Sequence, residues 1–191
     1  MNNKNTFRNF DETIPGLNGR TVGEFWRWAY SDILSNRNRA ILAEFIVGVA
    51  LGPLKRPRVE WDASDLCYRG RKVEVKSAAY VQGWPQKRPS DIRFGFRKAI
   101  PWDAATGDWA GRATRSSDIY VFCLFAERDR SAANVLNIPA WDFYVAATDQ
   151  LSARFGEAKS LSLGSVKQVA VSCKFEALRS TVDAALPDRA G

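Results

Sequence analysis

The chain has 191 residues, 46% of them hydrophobic and 12% aromatic, which suits one domain with its own core and excludes a largely disordered chain. Lys and Arg number 28 against 21 Asp and Glu, a formal charge of +7 that favours polyanionic partners. No histidine is present, so Ser-His-Asp and Cys-His catalysis, imidazole bases and histidine metal sites are all excluded.

Three cysteines, Cys67, Cys123 and Cys173, stand far apart in apolar surroundings, with no C-x-x-C pair. They read as buried, reduced thiols of a cytoplasmic protein rather than as zinc ligands. The longest apolar stretch, residues 40–53, is interrupted by Glu44 and is too short to span a bilayer, so no membrane association is expected. Residues 1–13 lack the apolar centre of a signal peptide.

In chain order, residues 1–19, rich in Asn with Pro15 and two glycines, read as a flexible arm. Residues 20–186 follow as a single domain and 187–191 as a tail. Thr21 and Glu24 form a capping box that opens a helix, with Val22, Phe25, Trp26, Ala29, Ile33 and Leu34 on one face. A second helix from about Asn38 to Leu51 stops at Gly52-Pro53, and its nearly uniform apolar surface predicts burial. Arg58 to Trp61 reads as a strand, and Asp65–Tyr68 with Arg71–Lys76 as a hairpin turning at Arg69-Gly70. Residues 77–117 predict loops around one strand near Ile92 to Phe96. The continuous apolar run Asp118 to Ala126 predicts a central strand covered on both faces. Trp141 to Ala147 predicts another strand, and Phe175, Leu178, Val182 and Leu186 a C-terminal helix. The order predicts an α/β fold around one mixed sheet.

With Arg69 and Gly70 as the two loop residues, Leu66 opposes Val73, Cys67 opposes Lys72 and Asp65 opposes Glu74. Side chains alternate along a strand, so Leu66, Tyr68, Val73 and Val75 share one face, and Asp65, Glu74 and Lys76 the other. Two carboxylates about 4 Å apart repel by roughly 4 kcal/mol at an effective dielectric near 20. Lys76 offsets part of that, and a divalent cation would offset more. Oxygen ligands without His or thiolate select Mg²⁺ or Mn²⁺ over zinc. A slip of one residue would put Asp65 and Glu74 on opposite faces.

Asp65, followed after eight residues by Glu74-Val75-Lys76, resembles the bipartite motif of the PD-(D/E)XK superfamily, the restriction-endonuclease-like nucleases. In that family the motif lies on a strand hairpin, and an acid on a preceding helix often completes the site; Glu44 stands at that place. Ser64 departs from the family's usual proline, and Tyr80 and Gln82 do not follow the order of the RecB-like exonucleases. Asp62 competes with Asp65 for the first acidic position, though it falls outside the register pairing.

The resemblance implies a restriction-endonuclease-like core and Mg²⁺-dependent hydrolysis of DNA, by an endonuclease in preference to an exonuclease. It implies metal ligation by Asp65, Glu74 and the Val75 carbonyl, with Glu44 binding directly or through water. Lys76 would orient the attacking water and neutralise charge on phosphorus. Ser77, Tyr80 and Gln82 are the candidate substrate contacts.

The plainer alternatives are a solvated hairpin face for Asp65, Glu74 and Lys76, and an ion pair of Glu44 with Arg37 or Arg39. Basic clusters at Lys55, Arg56 and Arg58, at Arg69, Arg71 and Lys72, and from Lys87 to Lys98 suit phosphates, with Trp84, Trp102 and Trp109 beside the last group. Arg115 is a further candidate to point into the cleft. The expected partner is nucleic acid, DNA before RNA, with homodimerisation left open. A non-catalytic nucleic-acid-binding module of the same fold and a protein-interaction domain are the competing functions.

Overall fold

The computed structural model describes residues 6–60, 64–100, 102–103, 108–109 and 111–186. Helix α1, Val22–Tyr30, starts on the expected capping box: Glu24 N–H donates to the Thr21 hydroxyl and Thr21 N–H to the Glu24 carboxylate. The helix ends before Ile33 and Leu34, which pack on the core from the following turn, while Phe25 faces solvent. The preceding arm makes local backbone bonds, including Val22 N–H to Glu12 O and Gly23 N–H to Phe10 O.

Helix α2, Asn36–Leu51, is capped by the Ser35 hydroxyl and closed by Gly52, whose positive φ suits only glycine before Pro53. It buries Ala43, Ile46, Val47 and Leu51, but Phe45 and Val49 are exposed, so one of its sides is open, contrary to the expected full burial. Residues 58–60 form no strand, a second correction, and Trp61 lies outside the described residues. With alternation over only four residues, that stretch had no partner strand to hold it extended.

Strands β1, Leu66–Tyr68, and β2, Arg71–Ala79, form the hairpin, with Leu66 opposite Val73, Cys67 opposite Lys72 and Tyr68 opposite Arg71. Arg69 and Gly70 both have positive φ, the backbone of a two-residue type I′ turn, which matches the twist of the flanking strands. Strand β3, Arg93–Gly95, lies where a strand was expected, and β4, Trp102–Asp103, pairs with β5, Asp108–Trp109. Strand β6, Ile119–Phe125, is buried at every residue, and β7, Trp141–Ala147, pairs with it.

Four further elements escape the sequence patterns: α3, Thr148–Phe155; β8, Ser160–Ser162; α4, Leu163–Lys167; and β9, Val171–Cys173. Helix α5, Phe175–Ala185, closes the fold with Leu178 and Val182 buried. The main sheet runs β1-β2-β6-β7-β9, with β2 and β6 parallel and the other pairs antiparallel. This is an α/β fold with a mixed five-stranded sheet.

Each sheet face has its own core. On one, Val73, Val75, Val121, Cys123 and Phe125 meet α2 and α5 through Ala43, Val47, Leu178 and Val182. On the other, Ala78, Tyr120, Phe122 and Leu124 meet β3, β8, α3 and α4 through Phe94, Leu161, Leu151 and Val166. Among the described residues no helix is long and apolar enough to cross a membrane. Cys67 is exposed, which corrects the expectation of three buried thiols; Cys123 is buried and Cys173 half-buried.

The turn fixes the register, so it offers a direct test. Gly70→Ala forces a side chain into a left-handed backbone and should cost about 1–2 kcal/mol, read as a lower urea midpoint at unchanged m-value.

Candidate functional site

The alternation of β2 decides which face each candidate occupies. Glu74, Lys76 and Ala78 stand beside Tyr120, Phe122 and Leu124 of the parallel neighbour, on the face opposite α2. Val73 and Val75 point the other way, into the α2 core, and Tyr68 joins them with Leu66 at the edge. On β2 the apolar and charged side chains separate as expected. The charged face is nevertheless not open throughout, because its second core begins at Ala78, one step past Lys76.

Asp65 immediately precedes β1, one residue beyond the last ladder pair, Leu66 with Val73. Its Oδ2 accepts a hydrogen bond from Val75 N–H at 2.7 Å, so the side chain continues the bonding where the ladder stops. Glu74 is held from two sides: Lys76 Nζ donates to Oε1, and the buried Ser117 hydroxyl donates to Oε2 at 3.0 Å. Ser117 is itself fixed, since its carbonyl accepts from Thr148 Oγ1 at 2.6 Å at the start of α3. Neither Ser117 nor Thr148 was singled out from sequence; only the fold brings residues so distant along the chain together.

Glu44, 8% exposed on α2, takes a two-pronged ion pair from Arg58, with Nε on Oε2 and Nη2 on Oε1 at 2.9 Å. The pairing answers the burial of its charge. The proposed partners Arg37 and Arg39 are corrected here. Arg37 lies 3.8 Å from Glu60, and Arg39 donates to Leu34 O, Asn36 Oδ1 and Gln82 Oε1. Arg39 is almost fully buried without a carboxylate, its Nε has no partner, and burial pushes its pKa down to about 10.

The charges act on one another. Burial, then Glu74 and, less strongly, Glu44 push the Asp65 carboxyl up to about 6 against the opposing Val75 N–H and Lys76. Tyr120 rises to about 12 through burial and the neighbouring Glu74 charge. Glu44 hydrogen bonding raises Arg58 against its desolvation, and Asp65 adds to the effect. Asp65 therefore sits between two acid–base pairs, Glu44 with Arg58 and Glu74 with Lys76.

Such a donor set suits one hard cation. Two carboxylates whose repulsion raises a proton affinity are relieved by added positive charge, and magnesium is commonly held by one or two carboxylates, water and a substrate phosphate. A third acid is not supplied: among the described residues no group of three or more His, Cys, Asp and Glu could hold a metal ion. Glu44, committed to Arg58, fits an outer role better than direct ligation. Asp62 lies outside the described residues.

The remaining candidates are spread out. Ser77 points to the α2 face, away from Lys76, with its Oγ buried and unpartnered. Gln82 is buried, donating to Ala79 O at 2.7 Å and to Ser90 Oγ at 3.2 Å, while the Arg128 guanidinium covers the Tyr80 ring at 3.8 Å. These contacts make Gln82 a brace for the loop after β2. Arg115 lies over the Phe96 ring and donates to the carbonyls of Phe96, Gly156 and Ala158; it clamps loops rather than entering a cleft.

The chain matches no family model, no curated protein and no solved structure.

An ionised Asp65 costs stability. Its folded pKa of about 6 lies above the ordinary value of 3.8, so the folded state holds the proton more tightly. The stability that the Asp65 proton contributes is full below about pH 4 and is lost as pH rises through 6, and the loss amounts to about 3 kcal/mol at neutral pH. Asp65→Asn should retain an acceptor for Val75 N–H and lose that penalty. We expect it to melt several degrees above the wild type at pH 8 and to match it at pH 3.5, by thermal denaturation across that range.

Proposed function

We propose that this protein is a Mg²⁺-dependent nuclease with a restriction-endonuclease-like core, cutting DNA phosphodiester bonds internally. One observation carries the reading: the hairpin brings Asp65, whose carboxyl is lifted to about 6 by burial first and the Glu74 charge second, close to Glu74, and Lys76 pairs with Glu74. A carboxylate perturbed by burial and a specific charged neighbour at a cleft is a candidate functional group. The helix before the hairpin, with Glu44 facing the same group, and the mixed sheet behind it support the PD-(D/E)XK likeness.

In this reading Asp65, Glu74 and the Val75 carbonyl hold the ion, which when bound supplies Lewis-acid polarisation of the phosphate and a more acidic water. Manganese is the natural substitute. Ser117 and Lys76 fix the Glu74 carboxylate in place. The Lys76 ammonium also stands ready to neutralise charge developing on the phosphoryl oxygens and to orient water by hydrogen bonding. Arg58 cancels the Glu44 charge and keeps the approach of an anionic substrate from being repelled.

The same ion pairs favour a second reading, a non-catalytic nucleic-acid-binding module of this fold. Glu44 and Glu74 each have a cation within the chain, so neither depends on a metal for neutralisation. Cleavage separates the two. Supercoiled plasmid and linear DNA incubated with Mg²⁺, Mn²⁺ or EDTA should be cut only with metal, and nicked or linearised plasmid should appear before small fragments. Glu74→Ala and Lys76→Ala should each lower the rate by at least about a hundredfold while circular dichroism stays unchanged. Equal cleavage by all three proteins would refute the assignment.

A further inference from the structure

A groove of about 600 Å³ runs beside the edge strand β1, between α2 and residues 52–59. Of the proposed metal ligands it is lined by Asp65 alone, beside the Glu44–Arg58 ion pair, and so meets the acidic site at Asp65. Two exposed aromatic rings line it, Phe45 from α2 and Phe7 from the N-terminal arm. Lys55, Arg56 and Arg69 add basic groups along the same space. Gly48 stands at the groove's wall: a Cβ there would lie 2.5 Å from Leu54 Cδ2, so a larger residue would make the Leu54 side chain shift.

We infer that this groove binds single-stranded nucleic acid and leads one strand to Asp65, at the edge of the acidic site. The inference rests on the nuclease reading for its ligand class and adds the form of the substrate. Cations along a groove with exposed rings match the chemistry of a single strand, whose phosphates need neutralising and whose free bases stack on aromatic faces. A duplex keeps its bases stacked inside and offers those rings nothing. The volume is that of a small-ligand pocket, on the order of two nucleotide units of one strand. Phe45 explains itself here: a large ring left in water on a helix whose opposite side fills a core has a surface to offer.

Cys67 provides a local reporter, because it lines the groove and is the one exposed cysteine of the three. In EDTA, where cleavage plays no part, a fluorescent 15-mer single strand should bind at least about tenfold tighter than its duplex. The single strand should slow maleimide labelling of Cys67, and the duplex should not. Phe45→Ala and Lys55→Glu, both at exposed positions, should each weaken single-strand binding about fivefold or more. Phe25→Ala, an exposed ring on α1 that does not line the groove, should leave it unchanged. Equal or tighter duplex binding, an unprotected Cys67, or an unaffected Phe45→Ala variant would overturn the inference. Groove binding without Mg²⁺-dependent cleavage would sink the nuclease reading alone, whereas cleavage with duplex binding and no protection would sink the groove alone.

Discussion

The backbone at Arg69 and Gly70 is the constraint from which the site follows. Both residues have positive φ, so the chain reverses in two residues and the register of β1 on β2 has no slack. A period of two then places Val73 and Val75 in the α2 core and Glu74 and Lys76 on the other face. The buried valines and the charged pair enforce one another. A slip that freed the carboxylates from opposition would drive Val73 and Val75 out of their core.

That enforced geometry concentrates charge at the margin of the sheet, and the protein answers it unevenly. Glu44 and Glu74 have cations of their own, Arg58 and Lys76, whereas Asp65 has a backbone N–H and the outer reach of the lysine. A hydrogen bond from a neutral amide lowers the cost of a buried carboxylate without cancelling its charge. Asp65 is therefore the position at which a positive charge from outside gains most. Substitution by an uncharged isostere would relieve the fold, so stability gives no reason for an acid there.

The hairpin was legible because turn chemistry and alternation agreed over a short span, and Glu74 and Lys76 fell to their places on β2 from those signals alone. The central strand β6 was legible for a related reason: seven apolar residues in a row have no amphipathic alternative. Helix α3 was hidden because eight mostly polar residues carry one buried leucine, and β8 and β9 because three residues cannot display a period. The sequence overstated α2 for the opposite reason, since Phe45 and Val49 look like core residues until the groove beside them is seen. At the site, the partner of Glu44 was misjudged as a neighbour on its own helix. A side chain on α2 reaches the loop that follows Pro53 more readily than its own first turn, and Arg58 lies on that loop.

The interplay of Arg58 and Glu44 connects the groove to the acids in a way neither does alone. Arg58 is tied to Glu44 by two hydrogen bonds, yet its guanidinium is about a third exposed and lines the groove. A guanidinium has five donors, and two spent on a carboxylate leave others for a phosphate oxygen. An arriving phosphate would then meet a cation already oriented by its acid, which lowers the conformational cost of the contact. Burial of Glu44 thus does more than satisfy a stray charge on an apolar helix. It holds an arginine at the mouth of the groove, next to the one carboxylate, Asp65, whose charge the chain leaves least compensated.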